Sequence, residues 1–276
     1  MKRMVSGLST VLVILAVILL VLGLLLFNAL SHVRSFALDS RQMAQLHAVD
    51  AAVGLFKNQV GFNPPSDAND ATGKPYCGAM KLAEALMGRD LRGFHPESAF
   101  RCDGLDPNTL TPLYPANPPQ DNVNARLGPY LQMEYAHAWR LADVFGKGNT
   151  GPFPEDAYVL CDTFERERPG GKKTGMPILY YRADPSGKAH QAGDPNNIYD
   201  DSDNRALIAL GVPGKPRKTH PLIDPKRFYL NTQDVRVTSS PQPYRAGSFI
   251  LISAGWDGRY GTGDDICNFA WKYREE

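Results

Sequence analysis

The stretch that most constrains this chain is a nearly unbroken apolar run from Val11 to Phe27, preceded by the basic residues Lys2 and Arg3. With Leu8 ahead of it and Ala29 and Leu30 behind, the run reaches the roughly 20 residues that a helix needs to cross a bilayer core. No break follows it. Between Ser35 and Val60 there is no proline and a single glycine, Gly54. Apolar residues recur there at Phe36, Met43, Leu46, Val49, Val53, Phe56 and Val60, mostly three or four apart, which marks one face of an α-helix. Asp39, Arg41, Gln45, Asp50 and Asn58 take the other faces. The pattern predicts one helix of about 53 residues, roughly 80 Å long at 1.5 Å per residue. Its first half is apolar all round and its second half amphipathic. The expected division is a transmembrane helix over 8–33, an amphipathic spine helix over 34–62, and a globular domain over 63–276.

The apolar run is longer than the core of a cleaved secretory signal, and His32-Val33-Arg34 is a poor cleavage site. An uncleaved anchor is the plain reading. Lys2 and Arg3 then keep the N-terminus cytoplasmic and send the rest outward. A further reading rests on Gly7, which ends a short basic leader over 1–7 and is followed by Leu8. The formal net charge is +1 with both signs interspersed, so nothing favours a nucleic-acid partner. Most of the 25 glycines and 22 prolines lie beyond Gly61, as in a loop-rich domain rather than a bundle. The four cysteines, Cys77, Cys102, Cys161 and Cys267, form no CxxC pair. Outside the cytoplasm they permit two disulfides, with Cys77–Cys102 closing the shortest loop, or they stand as buried thiols.

In the domain, Gly61 followed by Phe62-Asn63-Pro64-Pro65 ends the helix and forces an extended exit. Ala79–Met87 reads as a short helix closed by Gly88, and the span 92–126 as irregular. Tyr130–Phe145 reads as a helix or an ordered loop. Strand-like runs occur at Ala157–Cys161, Pro177–Arg182, Phe228–Leu230 and Ser248–Ser253, with a short helix over Asp203–Leu210 between them. A long helix first and a sheet last predicts an α+β fold, with the sheet laid on the apolar face of the spine. Chemistry is sparse. There is no HExxH, GxSxG or Walker A pattern. Gly146–Gly151 fits GxGxxG, but without the strand and helix that a dinucleotide needs, so it reads as a loop. Asp200, Asp201 and Asp203 read as a capped turn. The six histidines are scattered. No nucleophile–base pair can be assembled, and no enzyme is expected.

One C-terminal stretch stands out: Ser253-Ala254-Gly255-Trp256-Asp257-Gly258-Arg259-Tyr260-Gly261-Thr262-Gly263-Asp264-Asp265-Ile266. Three carboxylates, Asp257, Asp264 and Asp265, lie on a glycine-rich loop. Hard cations such as Ca²⁺ take six to eight oxygens, part of them from backbone carbonyls. A hairpin turn with Asp257-Gly258 at its corner is the commoner origin of such a composition.

This loop resembles the C-terminal signature of the major pseudopilins of type II secretion, where Ser-x-Gly leads into Asp-Gly, further glycines and Asp-Asp-Ile. The leader ending in Gly7, the exit at Gly61–Pro65 and the segment Gly128-Pro129-Tyr130-Leu131 are similar to features of the same type IV pilin-like family. The resemblance implies a pilin-like fold, in which the long helix packs on an antiparallel sheet. It implies cleavage between Gly7 and Leu8 by a prepilin peptidase, and a structural Ca²⁺ held by Asp257, Asp264 and Asp265. It also implies inner-membrane anchoring with a periplasmic domain, and assembly with other pseudopilin subunits of a secretion or pilus machine. The family usually carries glutamate at the fifth mature position; here that position is Leu12, which points to a minor or divergent subunit. The alternative is a signal-anchored extracytoplasmic binding domain or enzyme that joins no filament.

Overall fold

The computed structural model describes Leu20, Val33 and residues 35–215, 218–238 and 240–269. The chain divides into two compact units, Met1–Arg41 and Gln42–Glu276. Residues 35–60 are helical (α1). In the second unit, the face of α1 carrying Leu46, Val49, Ala52, Val53 and Phe56 is buried, while His47, Ala51, Leu55 and Asn58 are exposed. Gly61 closes the helix by donating its N–H to the Lys57 carbonyl at 2.8 Å. The sequence periodicity and the buried stripe coincide, because burial of that stripe is what fixes an amphipathic helix in a globular unit.

The stripe also contains polar groups. Gln45 Nε2 donates to the carbonyls of Tyr135 and Cys161, both at 2.8 Å, and Gln42 Oε1 accepts from the Thr163 N–H at 2.7 Å. These glutamines cap loop backbone that would otherwise be buried without a donor or acceptor. Asp50 accepts from Arg245 Nη2 at 2.8 Å and from Asn268 Nδ2 at 3.2 Å.

A second helix, α2 (Gly78–Met87), is the most enclosed helix among the described residues: all ten of its residues are buried. It packs against the strands β2 (Tyr158–Leu160) and β5 (Leu179–Arg182). Its one lysine, Lys81, is 3% exposed and donates from Nζ to the carbonyls of Asp67 and Asn69 at 2.8 and 2.9 Å. Gly88 ends α2 at φ +77°, and a Cβ there would lie 2.0 Å from the Gly93 carbonyl oxygen, so the close chain crossing needs glycine.

The strands form three small antiparallel sheets. β1 (Ala138–Arg140) pairs with β2, with Trp139 opposite Val159. β3 (Arg166–Glu167) pairs with β4 (Lys173–Thr174). β6 (Phe249–Ser253) lies between β5 and β7 (Ile266–Cys267), with Leu179 opposite Ile252 and Ser253 opposite Ile266.

The fold is α+β, but the expected pilin-like architecture, with a long transmembrane and spine helix packed on one antiparallel sheet, is contradicted. Among the described residues no helix is long and apolar enough to cross a membrane. Helix 35–60 is not a transmembrane spine, since Gln42 and Gln45 sit in its buried face, where Gln42 Oε1 and Gln45 Nε2 bond backbone of the domain. The apolar run over 8–33, apart from Leu20 and Val33, lies outside the described residues, as do Gly7 and Leu8.

Several local readings change as well. Phe228–Leu230 is not a strand but part of a helix, Pro225–Thr232; Asp224 caps it by accepting from the Lys226 N–H at 3.0 Å, and Pro225 occupies its first turn. The span Tyr130–Phe145 resolves into a one-turn helix (Met133–Ala136), β1 and a short helix (Leu141–Phe145). Asp203–Leu210 becomes a 3₁₀ turn over Asp201–Asn204 followed by a one-turn helix (Arg205–Ile208).

Candidate functional site

The β6–β7 connection, 254–265, is the acidic loop singled out by sequence. β6 is buried throughout and β7 pairs back on it, so the loop leaves the core as the end of a hairpin. Gly255 turns the chain at φ +60°; a Cβ there would fall 2.1 Å from the Asp264 carbonyl oxygen and 2.8 Å from its Oδ2. Only glycine lets the two arms of the loop approach this closely. Gly258 is at φ +71° and Asp257 is not among the residues of positive φ, so Asp257-Gly258 is not a type I′ corner, which requires two.

Two of the three carboxylates come together. Asp264 Oδ2 accepts from the Asp257 N–H at 2.7 Å. The Thr262 hydroxyl lies 2.7 Å from Asp264 Oδ1 and 3.3 Å from Asp257 Oδ1. Burial, and then the charge of Asp264, raise the pKa of Asp257 above the usual carboxylate value. The third turns inward. Asp265 is 4% exposed, and its Oδ2 accepts from the Gly261 N–H at 2.7 Å. Its Oδ1 is buried with no hydrogen-bond partner, and burial pushes this carboxyl well above the ordinary range. A buried carboxylate oxygen without a donor calls for a proton or a cation.

Among the described residues no group of three or more His, Cys, Asp or Glu is placed to hold a metal ion. Asp257 and Asp264, linked through the Thr262 hydroxyl and the Asp257 N–H, are the two carboxylates of the loop that the fold brings together.

The loop is also pinned from outside. His220 Nδ1 accepts from the Tyr260 N–H at 3.1 Å, Leu222 N–H donates to the Tyr260 carbonyl at 3.1 Å, and the Tyr260 hydroxyl donates to the Pro177 carbonyl. On its solvent side Trp256 is 52% exposed, with the Arg166 guanidinium 5.5 Å from its ring centre.

The four cysteines are separate buried thiols. Cys77 precedes α2, the Cys102 N–H donates to Asp70 Oδ2 at 2.9 Å, the Cys161 carbonyl is capped by Gln45, and Cys267 sits opposite Ile252. Burial pushes Cys77 up to about 11 and Cys161 and Cys267 well above the normal thiol value, which keeps them protonated and unreactive. Gly146–Gly151 is a loop that follows the helix Leu141–Phe145, and the Gly148 N–H donates to Glu155 at 2.6 Å.

Asp200 caps its turn, accepting from the Ser202 N–H at 2.8 Å. Its neighbour Asp203 is instead buried and accepts from the Ser66 hydroxyl, 137 residues away in sequence. A second buried carboxylate, Glu84 on α2, receives the hydroxyls of Tyr76 and Ser98, both at 2.5 Å, and of Tyr114 at 3.2 Å. Neither cluster carries a local sequence signal, because each joins residues from separate segments. No protein-family model, no curated protein and no solved structure matches this chain.

Proposed function

We propose that this chain is a non-catalytic structural subunit of a type II secretion or type IV pilus-like assembly, anchored at the inner membrane, with a C-terminal loop stabilised by Ca²⁺. The pilin-like spine is not part of this reading. One observation carries it: the pseudopilin-like loop sequence folds so that Asp257 and Asp264 share the Thr262 hydroxyl while Asp265 keeps a buried oxygen without a partner. Asp257 and Asp264 are the residues that would hold the ion, with Asp265 fixing the loop backbone through Gly261. The ion would neutralise two carboxylates that otherwise repel. The apolar run Val11–Phe27 and the basic leader support the anchor.

Calcium is expected to raise the melting temperature of the full-length chain in detergent. At a concentration 100-fold above Kd the gain is about 2.7 kcal/mol, or about 5 °C or more for a domain of this size. Chelator should reverse it, magnesium should not replace it, and Asp264→Ala should abolish the difference. A melting temperature indifferent to Ca²⁺ would leave a plain acidic turn.

The assembly reading makes a separate demand on Gly7 and Leu8. When the chain is co-expressed with a prepilin peptidase, intact-mass measurement should show loss of residues 1–7. Retention of the leader would remove the filament reading and leave the signal-anchored alternative.

A further inference from the structure

Beside α2 lies a cleft of about 410 Å³ whose floor and rim differ in kind. The floor is satisfied: Glu84 is taken by the hydroxyls of Tyr76, Ser98 and Tyr114, and Arg89 donates to the carbonyls of Arg101 and Cys102 at 2.9 and 2.8 Å. Two of the acids along the cleft are also engaged, Asp90 by Arg126 at 2.5 Å and Asp103 by Arg101 at 2.7 Å.

The rim is not satisfied. Arg140 and Asp156 are both exposed and both line the cleft. Arg140 Nε donates to the Tyr158 hydroxyl at 3.3 Å, and among the described residues its two terminal nitrogens have no hydrogen-bond partner. Nor does the Asp156 carboxylate accept a hydrogen bond among them. The Arg140 guanidinium lies 5.6 Å from the Tyr158 ring centre. Arg140 and Tyr158 are opposite each other across the β1–β2 ribbon and also line a neighbouring cavity of about 400 Å³, where Trp139 meets Lys172 at 5.4 Å.

We propose that this cleft binds an uncharged saccharide unit. The free groups on the rim are a donor fork and a carboxylate acceptor beside the Tyr158 ring. Sugar hydroxyls both donate and accept, so one ring can offer hydroxyls to Asp156 and to Arg140, and the apolar C–H face of a pyranose packs on an aromatic ring. The volume suits a small ligand. A phosphate or other anion would meet the free Asp156 carboxylate in the same cleft, and a cation would meet the free Arg140 guanidinium. An uncharged polyhydroxyl ligand meets neither penalty. The site uses none of the loop residues 254–265 and does not depend on the filament reading.

Saturation-transfer NMR on the full-length chain tests this, with phosphocholine-headgroup micelles used so that the detergent brings no sugar. Glucose, galactose, mannose and N-acetylglucosamine are offered singly at about 10 mM, a concentration that reports weak sites, with glucose 6-phosphate and glucosamine as charged controls. At least one neutral sugar should receive saturation. Arg140→Gln and Asp156→Asn, both at exposed positions, should each weaken it roughly tenfold or more, as expected on losing a hydrogen bond to a charged group, with the melting temperature unchanged. No transfer to any neutral sugar, transfer only to a charged control, or wild-type binding by both variants would each overturn the proposal.

Discussion

Replacing Phe56 by alanine is expected to lower the stability of the domain by about 3–5 kcal/mol, the range for truncating a fully buried phenylalanine. Phe56 is 0% exposed and stands at the centre of an aromatic cluster. Its ring centre lies 5.1 Å from that of Phe94, 5.7 Å from Tyr130, 6.1 Å from Phe62 and 6.5 Å from Phe100, each crossing edge to face. Such pairs add about 0.5–1.5 kcal/mol beyond the buried area. These partners come from three separate loop segments, so one ring ties α1 to the irregular half of the domain. Leu55, its neighbour on the helix, is 55% exposed, and Leu55→Ala should shift stability by no more than about 0.5 kcal/mol. Denaturant midpoints of the two variants decide the matter. A Phe56→Ala chain as stable as Leu55→Ala would mean that helix 35–60 does not dock through this face.

The second large effect is electrostatic. Burial raises the Asp203 pKa from 3.8 to about 7; the charges of Asp200 and Asp67 add to the rise, while the Ser66 hydroxyl and Lys81 oppose it. A carboxyl with a raised folded pKa binds its proton more tightly in the fold than in the open chain. Its contribution is therefore fullest below pH 4 and is lost as pH climbs towards 7, a total of about 4 kcal/mol at 1.36 kcal/mol per pKa unit. Asp162, raised by burial to about 6, acts in the same sense. His190 and His220 act in the opposite sense. Burial lowers each from 6.5 to about 4, so each is neutral in the fold, and stability falls as pH drops from 6.5 towards 4 and the unfolded imidazoles take up protons.

Between about pH 4 and 6 these four contributions offset one another, so the slope of the wild-type curve there is set by the remaining shifted groups, among them the buried Asp265 carboxyl, which acts in the same sense as Asp203. Asp203→Asn keeps an acceptor for Ser66 but removes the buried charge. It should be more stable than wild type at pH 8, and over that window its stability should rise with pH relative to that of wild type. Denaturant titrations at four pH values suffice. Asp203→Asn less stable than wild type at pH 8 would mean that the ionised carboxylate is compensated and the site misread.

How much of this was legible in the sequence depends on how local each feature is. The helical stripe Leu46, Val49, Val53 and Phe56 was readable because amphipathic periodicity is written every three or four residues. Helix α2 was readable because an apolar run ends at a glycine, and β2, β5 and β6 because short β-rich runs lie between turn residues. The loop 254–265 announced itself through its glycines and carboxylates. Phe228–Leu230 was misread because its aromatic residues outweighed the Asp224-Pro225 helix start.

Residue order alone thus settled the α+β class, the buried face of helix 35–60 and the position of the acidic hairpin loop, since each follows from spacing within a dozen or so neighbours. Tertiary structure alone decided that α2, rather than helix 35–60, is the most enclosed helix among the described residues. It also decided that Asp265 turns inward while Asp257 and Asp264 meet, and that Glu84, Asp203 and the Arg140–Asp156 cleft exist at all. Those arrangements depend on segments up to 137 residues apart, as with Ser66 and Asp203, meeting in a close-packed interior. Which buried polar group finds a partner there is set by packing geometry, and no local pattern encodes it.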